Sequence, residues 1–240
     1  MNRDAEPDAA SATIAQVLEQ ANLLSEAGAY DKALALLDRA LDLPCADPEL
    51  HTARGWALEN LDPARLPEAR RAYESAIALD AGLSWARLGL ASVLERLGEV
   101  EAARRAYLEL VDHATPRAAQ QPDLMELLGW SQYRLGRLDE AVDTFRRALA
   151  HDEAWISVRF DLGLALLVRG DAVDATREYQ AALTQLAARQ AGRRLGPLRV
   201  ALDDLDEAQA RLRSAHASAA ADNIRALLGR AANEQRKLRG

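Results

Sequence analysis

Residues able to carry chemistry are few in this chain of 240 residues, and their spacing forms no catalytic pattern. The single cysteine, Cys45, excludes an internal disulfide and a site built from several thiolates. The sequence contains no glycine-rich phosphate loop, no GxSxG and no HExxH. The four histidines are also far apart along the chain, at His51, His113, His151 and His216. We therefore expect no catalytic residue, no metal and no cofactor.

A structural role also explains the pairs and runs of acidic residues better than a catalytic role does. Asp203, Asp204 and Asp206 form a run that a helical surface explains better than a metal site does. Asp139 and Glu140 fall where a helix begins, and carboxylates there are favourable against the helix dipole. An enzyme is accordingly the class of protein that the sequence supports least.

Composition indicates a helical protein. Hydrophobic residues make up 49% of the chain and aromatic residues only 5%, with 13 Gly and 8 Pro, which argues against a β-sandwich and against disorder. No stretch approaches the ~18 uncharged apolar residues of a membrane helix. Residues 1–13 mix basic and acidic side chains without an apolar segment, so no targeting peptide is expected and we predict a cytoplasmic location.

The chain resembles itself when it is shifted by 34 residues. The shift places Leu128, Gly129, Gly136, Ala141, Phe145 and Ala148 on Leu162, Gly163, Gly170, Ala175, Tyr179 and Ala182. The same order of small and large residues occurs upstream, in the sets that begin at Ala21, Gly55 and Ala91. Two extra residues fall between positions 62 and 67, and four more fall around positions 113–122. A fixed period of this length is typical of stacked structural repeats.

This pattern resembles the tetratricopeptide repeat, a 34-residue helix-turn-helix. The resemblance implies an all-α fold, a right-handed α-solenoid of antiparallel helix pairs with C-terminal capping helices. We expect an acidic tail over residues 1–13 and five repeats over residues 14–185. Their approximate limits are 14–47, 48–83, 84–117, 122–155 and 156–188. Large residues of the second helices, namely Tyr73, Tyr107, Phe145 and Tyr179, are expected to pack against the small residues, and glycines to let the chain turn after each first helix.

Residues 186–240 leave two arrangements open. Residues 189–216 echo the repeat and predict a degenerate sixth unit, whereas Pro197 favours a fresh helix after one that runs on to about Arg194. A last helix over residues 223–238, capped by Asp222, is expected to cover the final repeat.

The family resemblance also implies which residues bind a partner, because the first helix of each repeat lines the concave groove. Three of the four tryptophans, Trp56, Trp85 and Trp130, lie on that surface. The groove is expected to be acidic with tryptophan in repeats 2–4 and apolar in repeats 4 and 5. The predicted contact residues are Trp56, Glu59, Trp85, Glu95, Trp130, Tyr133, Arg134, Phe160, Leu164 and Leu167. The C-terminal helices, folded into the groove, are the alternative occupant of its apolar part.

These features favour a non-enzymatic scaffold that binds a peptide or amphipathic helix with apolar anchors and basic flanks. The alternative is a homo-oligomer, because residues 186–240 carry 11 basic and 6 acidic residues while residues 1–185 carry 19 and 31. Nucleic acid is disfavoured, because no aromatic residues interleave with the C-terminal arginines. A clamp for chaperone carboxylate tails is disfavoured too, because the matching residues Leu18, Thr52, Leu88, Glu126 and Phe160 are not basic.

Overall fold

A computed structural model describes residues 9–42, 47–188 and 196–237 of the chain. Over these residues it contains twelve α-helices and no strand. They are α1 (Ala9–Glu26), α2 (Tyr30–Leu41), α3 (Pro48–Leu61), α4 (Leu66–Leu79), α5 (Ser84–Arg96), α6 (Val100–Ala114), α7 (Asp123–Arg134), α8 (Leu138–His151), α9 (Ile156–Arg169), α10 (Ala172–Ala188), α11 (Gly196–Ala208) and α12 (Ala215–Lys237). Within this part of the chain, no helix is both long and apolar enough to cross a membrane. Cys45 lies outside the described residues.

Local signals in the sequence explain where the helices begin and end. Asp47 caps α3, because its side chain accepts hydrogen bonds from the backbone N–H groups of Glu49 and Leu50. Gly136 ends α7 with a φ of +77°, a left-handed conformation that favours glycine. Its N–H bonds to the carbonyl of Tyr133 at 3.0 Å, which closes the last turn. Glycines with positive φ also follow α1, α5 and α9. This confirms the prediction that glycines let the chain turn after these first helices.

The chain divides into two compact units, unit 1 (Met1–Ala106) and unit 2 (Tyr107–Gly240). In unit 1, each helix from α1 to α4 packs against the next one along the chain, and α3 also contacts α1 and α5. The ring of Tyr73 on α4 is fully buried between two glycines. A Cβ on Gly55 of α3 would lie 2.7 Å from this ring, and one on Gly89 of α5 would lie closer still. One aromatic ring thus fills the space between three helices.

Unit 2 repeats the same packing with its own residues. In it, α7 packs on α8, α8 on α9, and α9 on α10. Phe145 is buried against Gly129, and Tyr179 is buried against Gly163. The packing role predicted for these aromatic residues is confirmed, and the fold is an all-α solenoid of antiparallel helix pairs.

The C-terminal helices break the regular order of stacking. Upstream, second helices pack against the first helix that follows them, as α2 does with α3, α4 with α5 and α8 with α9. At the C-terminal end, α10 packs against α12, whereas α11 packs against α9 and α12. Thus α12 takes the place of the next first helix, and α11 lies across α9. Residues 189–195, over which one of the two alternatives continued α10 to about Arg194, lie outside the described residues.

Two predicted helix limits are wrong. The last helix was expected to begin at Asn223 with Asp222 as its cap, but α12 begins at Ala215 and Asp222 lies inside it, 3.1 Å from Arg225. The alanine-rich stretch before Asp222 favours helix strongly enough to extend it backwards. The N-terminal tail was expected to extend to residue 13, but α1 begins at Ala9.

Candidate protein-binding surfaces

The first helices of unit 1 expose large apolar side chains. Trp56 on α3 is 42% exposed and Trp85 on α5 is 51% exposed. Leu23 on α1 is 47% exposed, and α3 contacts both α1 and α5. Leaving tryptophan rings in water forgoes the free energy of burying them, so such residues mark interaction surfaces. We call the exposed residues Trp56 and Trp85, with the neighbouring Leu23, the tryptophan surface.

Glu59, predicted to contact a partner, has a different role. It is only 4% exposed, and its carboxylate binds residues of the same unit. Tyr73 donates a hydrogen bond of 2.9 Å to Oε2, and Ser92 donates one of 2.6 Å to Oε1. Arg96 donates to the main-chain oxygen of Glu59 at 2.9 Å. Glu59 therefore joins α3, α4 and α5 and is not available to a partner.

Burial shapes the acid–base properties of this hydrogen-bonded group. Burial raises the pKa of Glu59, while the hydrogen bonds from Ser92 and Tyr73 and the charge of Arg96 act in the opposite direction. Burial also raises the pKa of Tyr73 well above its usual value, and the nearby Glu59 carboxylate adds to this effect. Tyr73 is therefore a hydrogen-bond donor at neutral pH.

Of the other residues predicted for this part of the groove, Glu95 is half-buried on α5.

In unit 2 the predicted apolar part of the groove is covered by the chain itself. Tyr133, Phe160, Leu164 and Leu167 are at most 4% exposed, and Trp130 is half-buried. They belong to one core cluster with residues of the two last helices, among them Leu198, Ala201 and Leu205 of α11 and Ile224 and Leu228 of α12. These four buried residues were predicted to meet a partner, but in this structure they share one buried core with residues of α11 and α12. The physical reason is that covering this apolar surface within the chain removes it from water.

Polar contacts fix α11 at its C-terminal end. Arg134 donates a hydrogen bond of 2.6 Å to Glu207, and its guanidinium lies 5.9 Å from the ring centre of Trp130. Arg211 donates to the main-chain oxygen of Tyr133 at 3.1 Å and lies 4.4 Å from the centre of the Tyr133 ring, a cation–π arrangement. Burial raises the pKa of Tyr133 to about 12, although Arg211 and Arg134 act to lower it. Arg134 is thus an internal contact as well as a predicted partner contact.

Three half-buried carboxyl groups occupy the region of α7, α9 and α11, and we call them the carboxylate cluster: Glu126, Asp161 and Asp204. Burial raises the pKa of Asp204 to about 7; Glu207 adds to the shift and Arg134 opposes it. Burial raises the pKa of Asp161 well above its usual value, and the charges of Glu126 and Asp204 add to this shift. The pKa of Glu126 is raised by burial, while hydrogen bonds with Ser157 and Trp155 act to lower it.

The carboxylate cluster was not predicted from the sequence. Asp204 was assigned to a helical surface, which describes the exposed Asp203 and Asp206 but not Asp204 itself. Across the ranges that the structure describes, no group of His, Cys, Asp and Glu residues has the arrangement needed to hold a metal ion. The one available signal was the helical period, because Leu198, Ala201 and Leu205 predict a buried stripe and Asp204 borders it.

Comparison with known proteins identifies the class to which this architecture belongs. Two family models described as tetratricopeptide repeat match residues 82–154 and 126–191. The structure is similar to a thermophilic tetratricopeptide-repeat protein of Thermus thermophilus, with a TM-score of 0.59 and 22% identity over 71% of this chain and 90% of that one. It is also similar to a chain of the APC/C hetero-tetramer Cut9–Hcn1, with a TM-score of 0.58 and 22% identity over 85% of this chain and 38% of the other.

A curated relative matches over a shorter stretch. The chain is 38% identical over 90 residues to the TPR repeat-containing thioredoxin TTL4 of Arabidopsis thaliana. The match covers 38% of this chain and 13% of that protein's length. The helix-pair solenoid and the matched repeats define the class, an α-solenoid repeat protein. The chain is a tetratricopeptide-repeat protein.

Proposed function

We propose that this protein is a non-enzymatic scaffold that binds a segment of another protein on the tryptophan surface of unit 1. Tetratricopeptide repeats are in general protein–protein interaction modules. The observation that carries the proposal is the exposure of Trp56 and Trp85 on two adjacent first helices, since tryptophan is enriched among residues that dominate binding energy. A cytoplasmic location belongs to the same proposal.

Charge supports a ligand with basic flanks. Residues 1–106 contain 18 acidic and 11 basic residues, a net charge of −7, whereas residues 107–240 contain 19 of each. The entire net charge of the chain therefore belongs to unit 1. Glu49 on α3 is exposed and Glu95 on α5 is half-buried, on the same two helices as the tryptophans. An acidic surface favours basic ligands and accelerates their association, mostly at low salt.

Fluorescence titration with designed peptides tests this proposal. One peptide carries leucine and phenylalanine anchors on one helical face with lysine flanks, and its matched control carries glutamate flanks. We expect the lysine peptide to bind at least about tenfold more tightly, with affinity falling as salt is added. In the double variant Trp56→Ala/Trp85→Ala, the affinity for the lysine peptide should fall by about tenfold or more. The helicity should not change, because both rings are exposed and their removal leaves the core intact.

The matched control variant is Val173→Ala, which truncates an apolar residue that is 67% exposed on α10 in unit 2. It should bind the lysine peptide as the natural chain does. Undiminished binding by the double tryptophan variant, or a preference for glutamate flanks, would overturn the proposal.

The homo-oligomer alternative has less support. Its basic C-terminal segment was expected to bind the acidic body of another copy. Among the described basic residues of that segment, Arg225 pairs with Asp206 and Asp222, and Arg211 contacts Tyr133, all within one chain. Light scattering on the full chain tests this alternative, which requires a mass above that of the 26.2 kDa monomer.

A further inference from the structure

Helix α11 binds to its neighbours as a helical ligand would. Its apolar residues Leu198, Ala201, Leu205 and Ala208 recur every three or four positions, and each is at most 3% exposed. This is the spacing by which an amphipathic helix places one face in a groove. The opposite face carries the exposed residue Asp206. The contacts of α11 with α9, together with the Arg134–Glu207 hydrogen bond, place it on first helices of unit 2, the surface predicted for a partner.

The charge of α11 is poorly matched to that surface. Asp204 of α11 and Glu126 of α7 both lie close enough to Asp161 of α9 for their charges to raise its pKa, and all three carboxyl groups are half-buried. Adjacent buried carboxylates repel one another, so their ionisation opposes the docking of α11.

The remaining groups around Asp204 only partly compensate this repulsion. On α7 they are Arg134 and Tyr133; Tyr179 lies on α10, and Asp203 and Glu207 lie on α11 itself. Arg211, just beyond α11, is engaged with Tyr133. Arg225 of α12 pairs with Asp206 and Asp222 instead. Arg134 is thus the cation that offsets the charge of Asp204, and Glu207 competes for it at 2.6 Å.

We propose that α11 is an inhibitory occupant of the α7–α9 surface, and that a partner helix with the same apolar spacing and a Lys or Arg in place of Asp204 displaces it. The basic side chain of such a helix would pair with Asp161, which α11 leaves next to the carboxyl group of Asp204. This proposal rests on the proposed function, because both take a basic, amphipathic segment as the ligand. It concerns a different surface, in unit 2, so the two can fail separately.

The sign of the pH dependence follows from the raised pKa of Asp204. In the unfolded chain this carboxyl titrates near its ordinary value of ~3.9. With α11 docked its pKa is about 7, so the docked form binds the proton more tightly. The contribution of Asp204 to the stability of docking is therefore fully present below about pH 4 and is lost as the pH rises through about 7. A helix that brings a cation gains the most above that pH.

The test uses fluorescein-labelled peptides of residues 197–212, with the natural sequence or with Asp204→Lys, added to the full chain. By anisotropy, we expect the Asp204→Lys peptide to bind at least about tenfold more tightly than the natural peptide. Its advantage should grow between about pH 5.5 and about pH 8, because the natural peptide carries Asp204, whose pKa in the docked position is about 7, and the Asp204→Lys peptide does not. No binding, or equal binding of the two peptides, would overturn the proposal.

Variants of the full chain complete the test. Asp204→Lys in the chain improves the fit of its own α11, so the labelled Asp204→Lys peptide should bind it about tenfold more weakly. The matched control, the chain with Asp203→Lys, carries the same charge change at an exposed neighbouring position. It should bind the labelled Asp204→Lys peptide as the natural chain does. Asp204→Asn guards against a folding defect, because it should raise the melting temperature at about pH 8 by more than Asp203→Asn does; the pKa of both carboxyl groups is raised, but Asp203 is exposed.

Two outcomes separate this inference from the proposed function. The chain with Trp56→Ala/Trp85→Ala should bind the Asp204→Lys peptide unchanged, because that peptide occupies unit 2. Loss of binding in this variant would place the peptide on the tryptophan surface and overturn the inference alone. Unaltered peptide affinity in the Asp204→Lys chain would likewise show that α11 does not compete.

Discussion

The hydroxyl of Tyr73 on α4 donates a 2.9 Å hydrogen bond to Oε2 of Glu59 on α3, in the buried interior of unit 1. Ser92 of α5 donates to the other carboxylate oxygen at 2.6 Å. A buried carboxylate is stabilised only while its oxygens have partners. Glu59, which was predicted to bind a partner, therefore has a structural role. The contribution of these hydrogen bonds to stability can be measured.

Removing the hydroxyl of Tyr73 should destabilise unit 1. Tyr73→Phe keeps the ring but leaves Oε2 of Glu59 without its donor, at an expected cost of about 1–3 kcal/mol in the free energy of unfolding. Urea denaturation followed by circular dichroism measures this cost. Ser84→Ala at the start of α5, whose hydroxyl makes only a 3.5 Å contact with the carbonyl of Gly82, should change stability by no more than about 0.5 kcal/mol. Similar losses in both variants would contradict the buried hydrogen-bond network.

Two glycines of unit 2 should respond oppositely to the same substitution. Gly136→Ala places a Cβ in a left-handed conformation and should cost about 1–2 kcal/mol. Gly229→Ala lies within α12, where an added Cβ meets nothing within 4 Å, and should stabilise by roughly 0.5–1 kcal/mol. Thermal denaturation of the two variants gives both values. Unchanged or increased stability in Gly136→Ala would refute the assignment of Gly136 to a strained turn, and destabilisation by Gly229→Ala would contradict the open space at Gly229.

The contact between Gly129 and Phe145 predicts a rescue experiment. A Cβ at position 129 would lie 2.5 Å from Cε1 of the buried Phe145 ring, so Gly129→Ala should destabilise by about 1–3 kcal/mol. Phe145→Leu leaves space at that point. The double variant should therefore lose less stability than the sum of the two single variants, as expected for residues in contact. Strict additivity in a denaturation cycle would show that the two residues do not share this space.

Arginine pairs of different burial should contribute differently. Arg159 has an 11% exposed side chain and bonds to Glu178 at 2.7 Å and to the carbonyl of Glu153 at 3.0 Å. Arg159→Ala should cost about 1.5–3 kcal/mol. Arg177 pairs with Asp174 on the surface with its side chain 68% exposed, so Arg177→Ala should cost at most about 1 kcal/mol. Chemical denaturation at low and high salt compares them, and a larger loss in Arg177→Ala would contradict the burial argument.

The sequence predicted the helices and their packing well because these depend on local periodicity. Gly129, Phe145 and Gly163 recur at fixed spacing, and that spacing alone indicates which faces meet. Gly89 was not singled out, because its contact with Tyr73 falls outside the repeated pattern of small residues.

The candidate site was harder to predict because it depends on contacts between distant residues. Trp56 and Glu59 are three residues apart, so a helical face assignment places them together. Only the hydrogen bonds that Tyr73 and Ser92 donate from the neighbouring helices distinguish the buried carboxylate of Glu59 from the exposed ring of Trp56. Likewise, the contact of Arg134 with Glu207 joins residues 73 positions apart, for which the local sequence holds no signal.

The position of Tyr73 between Gly55 and Gly89 links the interior of unit 1 to what its surface can recognise. Gly55 is the immediate neighbour of Trp56 on α3, and Gly89 lies one helical turn after Trp85 on α5. The thickness of one buried ring therefore sets how closely α3 and α5 approach each other next to the two tryptophans. If these tryptophans anchor a ligand as proposed, a substitution at Tyr73 that no ligand touches would alter ligand specificity from inside the protein.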